Sequence, residues 1–292
     1  MIETLITDPW KDYALIDSGH GRKLERYGAV IVDRPEAQAL WSPSTPAAWN
    51  NAHARFSNSP KDEDSDNGQW EFLKKPPAAW PVTWNNLTFE CRLMSFRHMG
   101  LFPEQASHWA LIDKLIARAN RPLKILNLFA YTGAGSLVAA ARGCEVVHLD
   151  ASKKAIGWAK DNQKASRLDK AKIRWICDDA NDFVERELRR GNKYDAILLD
   201  PPKYGRGPDG QIWSLERDLP KFLENCINLL SDDAAFLILT CYALRLSPYT
   251  LDGLMRSSFA SRGGAIQSGE LLLKPEQSPY LLPTSLYSLW SK

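Results

Sequence analysis

The chain has 292 residues, of which 44% are hydrophobic and 25% charged. This composition excludes fibrous, coiled-coil and disordered classes, and the length accommodates one α/β domain of about 150 to 200 residues with a smaller appendage. The formal net charge is only +2, so an anionic partner has to be drawn by a local patch and not by the field of the whole molecule.

The first hundred residues are rich in tryptophan, with seven of the eleven at or before Trp109, and prolines gather between Pro35 and Pro81. They read as a small, turn-rich β domain over residues 1–100, a candidate for substrate recognition, with its tryptophans forming the core. The alternative is that the tryptophans, with Arg22, Lys23, Arg26, Arg92 and Arg97, form a substrate-recognition surface. Within it, SNSPKDEDSDNG (57–68) carries almost no apolar side chains and is expected to be an exposed loop. From Val82 to Met99 apolar and polar residues alternate around Asn85-Asn86, which fits a strand pair.

After Arg121-Pro122 short apolar runs alternate with helical stretches, as in βαβ units around a parallel sheet. The expected strands are 124–129, 145–149, 172–176, 194–199, 235–240, 265–273 and 285–290. The expected helices are 135–142, 152–167 with Ser152 as N-cap, 181–190 and 217–230. Seven strands in this order predict a doubly wound α/β sheet occupying 101–292.

In such a sheet ligands lie beyond the carboxyl ends of the strands. The first strand exits into NLFAYTGAGS, where Gly133 and Gly135 allow a tight turn and close approach of a ligand. Val138 replaces the third glycine of a dinucleotide fingerprint, which disfavours a nicotinamide-dependent oxidoreductase. The second strand exits at Asp150, spaced to accept from ribose hydroxyls or to cap the next helix, and the third at Asp178 and Asp179, either an adenine acceptor or a helix cap. The fourth exits into DPPKYGRG (200–207), whose paired prolines fix the backbone and form a rigid platform.

GLFPEQ, NLFAYTGAGS, the Asp150 position, CDDANDF, DPPKYGRG and LTCYA together resemble class I S-adenosylmethionine-dependent methyltransferases. The resemblance is greatest to the bacterial branch holding the 23S ribosomal RNA cytosine-5 and guanine methyltransferases, and it covers about half the chain, from Gly100 to Cys241. It implies a Rossmann-like seven-stranded sheet with a reversed last strand and S-adenosylmethionine as cofactor. Phe129, Tyr131, Thr132, Gly133 and Gly135 would line the methionine and ribose, Asp150 and Ala151 the ribose, and Asp178 or Asp179 the adenine, with Gln105 in a further cofactor-site motif and Asp200 also at the cofactor.

The resemblance also bears on the acceptor. Amino-group methyltransferases place an aromatic residue directly after the proline pair, and Lys203 stands there instead, ahead of Tyr204. Cys241, after the fifth strand, is either a buried core residue or a thiolate that attacks C6 of cytosine so that C5 can accept the methyl group. On that reading Cys241, Asp200 and Lys203 are catalytic, and Pro201, Pro202, Lys203, Tyr204 and Arg206 hold a base of RNA, expected to be ribosomal. A small-molecule or protein acceptor, or a non-catalytic nucleotide-binding module, are the alternatives.

Five cysteines, an odd number without a CxxC pair, indicate neither a disulfide framework nor a zinc site. Cys91, Cys144, Cys177 and Cys226 are assigned to packing and His148 to the core, while His20, His53, His98 and His108 show no metal spacing. No apolar run reaches the roughly 18 residues of a membrane span, and the first residues lack the layout of a signal peptide, so a cytoplasmic enzyme without metal is expected.

Overall fold

The computed structural model describes residues 2–58, 67–242 and 246–292. Its strands are β1 (Ile2–Thr7), β2 (Tyr13–Gly19), β3 (Arg22–Tyr27), β4 (Val30–Pro35), β5 (Ala54–Asn58), β6 (Gly68–Phe72), β7 (Trp80–Trp84), β8 (Leu87–Cys91), β9 (Lys124–Leu128), β10 (Glu145–Asp150), β11 (Ile173–Cys177), β12 (Ala196–Leu199), β13 (Tyr204–Arg206), β14 (Ile212–Ser214), β15 (Phe236–Tyr242), β16 (Ala265–Leu273) and β17 (Leu282–Ser291). Its helices are α1 (Ala106–Ala119), α2 (Ala134–Ala141), α3 (Lys153–Ala165), α4 (Ala180–Arg189), α5 (Leu215–Leu229) and α6 (Pro248–Ser258). Most of the expected loop at 57–68 lies outside the described residues; its two ends are the paired positions Asn58 and Gly68.

The chain forms two compact units. One comprises Ser107–Leu271, Ser285–Lys292 and the start of the chain as far as Leu5; the other comprises Ile6–Ala106 and Leu272–Thr284. This differs from a single cut after residue 100 because a strand's pairing partner can be remote in sequence, as for β1, which joins the large sheet beside β16.

In the larger unit the sheet runs β1-β16-β17-β15-β12-β9-β10-β11. The seven expected strands are all present, with β1 added as an eighth. β9, β10, β11, β12 and β15 pair in parallel and β17 runs antiparallel to β15, the expected reversal. Parallel strands covered on both faces read as continuous apolar runs, and β12, Ala-Ile-Leu-Leu, is buried throughout. Leu126, Leu128, Ile197, Leu199, Leu237, Leu239 and Cys241 share a core with Phe183 of α4, Phe222 of α5 and Met255 of α6. The alternate residues reach other helices: Asn127 meets Ser136 of α2, and Thr240 meets His108 of α1. From β9 the chain winds outward through β10 to β11, then returns to β12 on the other side of β9. The crevice at this reversal, beyond the ends of β9 and β12, is where such a sheet binds ligands. Helices α1 and α6 had no counterpart in the sequence reading.

The smaller unit holds the sheet β2-β3-β4-β5-β6 and the hairpin β7-β8. Asn85, with φ 50°, supplies the left-handed turn residue of that hairpin, as the Asn85-Asn86 pair predicted, although the strands end at Cys91 and not at Met99. Four of its tryptophans act as donors more than as core: the indoles of Trp10, Trp41, Trp49 and Trp70 bond to Thr83 O, Ser18 O, Asp17 Oδ2 and Phe96 O. Trp80 joins Leu24, Val32, Phe56 and Phe89 in the apolar interior, which also carries a charged network. Glu25 is fully buried and accepts from Tyr13, Tyr27 and Arg34. The Arg34 guanidinium and Lys23 outweigh burial and hold the Glu25 carboxyl below the usual range.

Four of the five cations expected to recognise substrate are paired within this unit. Arg22 bonds to Asp33 and to Phe56 O, Lys23 is buried against Glu36, Arg26 pairs with Glu276, and Arg92 pairs with Glu90. Sequence reveals the charge of a side chain but not the carboxylate that a neighbouring strand places beside it.

Candidate active site

The turn after β9 is built from backbone that side chains ordinarily avoid. Phe129 (φ 57°), Tyr131 (φ 48°) and Gly133 (φ 88°) all lie in the left-handed region, where a non-glycine residue costs roughly 1–2 kcal/mol. Specific bonds hold this conformation. Tyr131 N–H donates to Asp150 Oδ2 at 2.8 Å, Ala130 N–H to Leu149 O at 3.0 Å, and Asn162 Nδ2 to Thr132 O at 2.9 Å. Beneath the turn Asn127 Nδ2 donates to Ser136 Oγ, which lies 3.0 Å from Nδ1 of His148. A Cβ on Gly133 would approach Ala159 Cβ to 3.2 Å and the His148 ring to 3.5 Å, so the glycine answers both φ and space. His148 is a core histidine, as expected, kept neutral because burial drives its pKa down to about 3.

Asp150 ends β10 with each carboxylate oxygen receiving one backbone N–H, from Tyr131 and from Ser152, both at 2.8 Å. Burial nevertheless raises its pKa above the ordinary value, the two N–H groups acting against that shift. Ser152 itself caps α3 through Ala155 N–H, so Asp150 is not the cap and each of its oxygens retains acceptor capacity.

The two acids after β11 part ways. Asp178 accepts from Arg186 at one carboxylate oxygen and from the Asp179 N–H at the other. Asp179 caps α4, its Oδ1 accepting from Asn181 and Asp182 N–H at 2.8 and 3.2 Å, so the capping alternative holds for one oxygen. Its Oδ2 lies 2.7 Å from where a Cβ on Gly207 would stand. Burial raises the Asp179 pKa as well.

Asp200, Pro201, Pro202 and Lys203 follow β12 directly, and the chain then forms the hairpin β13-β14, which was not among the expected elements. Its register pairs Tyr204 with Ser214, Gly205 with Trp213 and Arg206 with Ile212. Alternation puts Gly205 and Trp213 on one face and Tyr204, Arg206 and Ile212 on the other. Trp213 is buried, whereas Tyr204 and Ile212 are 56% and 53% exposed. Lys203 and Arg206 are exposed too, and Arg217 donates to Ile212 O. Gln211 reaches Asp182 of α4 at 2.8 Å.

Cys241 continues the inward row of Leu237 and Leu239 and is completely buried. Burial, reinforced by the Asp200 charge, pushes its thiol well above the ordinary range. A thiolate nucleophile needs positive surroundings and access, so the buried-core alternative describes this residue. Cys177 departs from its packing assignment: it is exposed, with Sγ 3.5 Å from Ala151 O. Gln105 belongs to the smaller unit, in the single helical turn Pro103–Gln105 that precedes α1. His108 is buried against Thr240 and Tyr287, and burial takes its pKa to about 3. Among the described residues no three His, Cys, Asp or Glu side chains are grouped to hold a metal, and no helix is long and apolar enough to cross a membrane.

An adenosine-bearing sulfonium suits these residues. The strained turn offers close backbone approach, Asp150 offers acceptors for a diol, and Asp179 Oδ2 lies outside its capping bonds. The S-adenosylmethionine-dependent methyltransferase family matches residues 37–243. The crystal structure of the S-adenosylmethionine-dependent methyltransferase from Agrobacterium tumefaciens superposes with a TM-score of 0.94 at 47% identity, covering 99% of this chain and 93% of that one. Ribosomal RNA large subunit methyltransferase I of Serratia proteamaculans is 32% identical over 44% of this chain and 32% of its own length. Ribosomal RNA large subunit methyltransferase K of Neisseria meningitidis is 24% identical over 68% of this chain and 55% of its own length. The chain therefore spans about half or less of these curated relatives. It belongs to the S-adenosylmethionine-dependent methyltransferases, uses that cofactor, and is distantly related to the enzymes of large-subunit ribosomal RNA.

Proposed function

We propose that this methyltransferase modifies a nucleobase of RNA, with ribosomal RNA as the substrate class, by direct transfer to a nucleophilic atom of the base. The exposed face of β13-β14 carries the reading. Tyr204 and Ile212 offer an apolar surface on which a planar base can stack, and Lys203 and Arg206 supply charge for adjoining phosphates, close in sequence to Asp200. The distant ribosomal RNA relatives support the substrate class.

When bound, S-adenosylmethionine supplies an electrophilic methyl group on a positively charged sulfur. Asp150 accepts from the ribose hydroxyls, Asp179 Oδ2 accepts from the adenine amine, and the 129–135 turn bounds the methionine end. Pro201 and Pro202 fix the opposite wall, and Asp200 beside them bonds the base and takes up the proton that its acceptor atom releases. Positioning accounts for most of the rate, since the leaving group belongs to the cofactor. The burial of Cys241 opposes the thiolate route to cytosine C5, so Cys241→Ala is expected to retain turnover within about threefold.

The test incubates the protein and methyl-labelled S-adenosylmethionine with ribosomal subunits and RNA from a strain lacking the gene, then identifies labelled nucleosides. A labelled nucleoside is the expected product. Label confined to protein or small molecules would retire the RNA acceptor, and 5-methylcytosine formed by the parent but not by Cys241→Ala would restore the thiolate.

A further inference from the structure

The hairpin's inner face meets both walls of the site. Pro201-Pro202 is short of handles: neither proline has an N–H, so the pair can be anchored through its backbone only by donors to its carbonyls. The Trp213 indole, a donor only, reaches Pro202 O at 2.7 Å. The same ring lies 5.2 Å from that of Phe129, the first left-handed residue of the 129–135 turn, and 5.3 Å from Phe222 of α5, while Phe129 and Phe222 are 5.7 Å apart. The three rings form a closed triangle, and a Cβ on Gly205, opposite Trp213 in the hairpin, would approach Pro202 Cγ to 3.3 Å. Leu215 N–H donates to Lys203 O at 3.0 Å and so closes the hairpin's base.

We propose that Trp213 is a positioning residue for methyl transfer: its N–H fixes the Asp-Pro-Pro wall and its ring face fixes Phe129, so that one buried side chain sets the acceptor side against the cofactor side. This rests on the reading above that the 129–135 turn holds the cofactor and the 200–206 segment holds the acceptor. The two functions reside in different parts of the indole and are separable by substitution. Trp213→Phe keeps an aromatic ring for Phe129 and Phe222 but has no donor for Pro202; Trp213→Leu has neither.

The experiment measures cofactor affinity by calorimetry, kcat and KM for the RNA acceptor, amide exchange in peptides spanning 129–135 and 203–206, and the thermal midpoint. Trp213→Phe is expected to hold cofactor Kd within about threefold of the parent while kcat falls about tenfold, the size of one lost hydrogen bond. Exchange should quicken at 203–206 and not at 129–135. Trp213→Leu is expected to weaken cofactor binding about tenfold as well and to quicken exchange in both segments.

Equal exchange and equal kcat in Trp213→Phe and the parent would overturn the assignment. So would losses in Trp213→Leu that merely track the unfolded fraction. Asp150→Ala is the control for the underlying reading. If it leaves cofactor affinity unchanged, the cofactor is misplaced, whatever Trp213 does. If the parent labels no RNA, the acceptor class fails, while the exchange pattern and cofactor Kd still decide the role of Trp213.

Discussion

Asp150→Ala tests how the strained turn is held. The substitution removes the acceptor from two backbone N–H groups, those of Tyr131 and Ser152, each 2.8 Å from a carboxylate oxygen. A hydrogen bond to a charged group contributes roughly 1.5–3 kcal/mol. Left-handed backbone at Phe129 and Tyr131 opposes it with about 1–2 kcal/mol each. With anchor and strain nearly matched, about half of the turns are binding-competent, and losing about 2 kcal/mol lowers that population about 15-fold, so the apparent Kd rises in proportion. The lost acceptor for the ribose hydroxyls adds about tenfold, so calorimetric titration with S-adenosylhomocysteine should show affinity reduced on the order of 150-fold. Stability should change little, because burial already opposes the charge of Asp150. Asn162→Ala removes only the neutral bond to Thr132 O and should weaken binding about fivefold. Asp150→Ala binding within threefold of the parent, or Asn162→Ala costing more than Asp150→Ala, would refute the argument. Because burial raises the Asp150 pKa, affinity on acidification should also start to fall at a higher pH than an ordinary carboxylate predicts.

Three further outcomes follow from the packing. His108 and His148 stay neutral down to about pH 3, against an ordinary value of 6.5. The unfolded chain therefore binds protons there that the fold does not, and urea-unfolding free energy should fall between pH 6.5 and 3 by about 1.4 kcal/mol per pH unit for each histidine. His108→Gln should flatten that slope by one proton, and an unchanged slope would contradict the assignment. A Cβ on Gly269 would stand 1.4 Å from Glu3 O, so Gly269→Ala should displace β1, cost about 1–3 kcal/mol and quicken amide exchange at 2–7 without changing cofactor affinity. Glu25→Ala leaves the buried Arg34 without its carboxylate and should cost about 3–5 kcal/mol by thermal unfolding; a loss under 1 kcal/mol would mean that the network is dispensable.

Much of the larger unit was legible because its information is local. Parallel strands buried on both faces leave unbroken apolar runs, and turns leave glycines, prolines and caps, so the seven strands, Ser152 as a cap, and the exits at 129–135, Asp150, Asp179 and 200–207 could all be read along the chain. The winding that brings β9 beside β12 places two of those exits at one crevice. What only the tertiary structure decided was pairing and burial. β1 lies beside β16, more than 260 residues away. Arg22, Lys23 and Arg26 are spent on internal carboxylates, Cys177 is exposed, and Cys241 is enclosed. Trp213 is an unremarkable aromatic in the sequence until the hairpin turns its N–H onto Pro202 and its ring onto Phe129. Local preferences are set by a residue and its near neighbours, whereas a side chain's solvent, charge and hydrogen-bond partners are set by whichever distant segments fold against it.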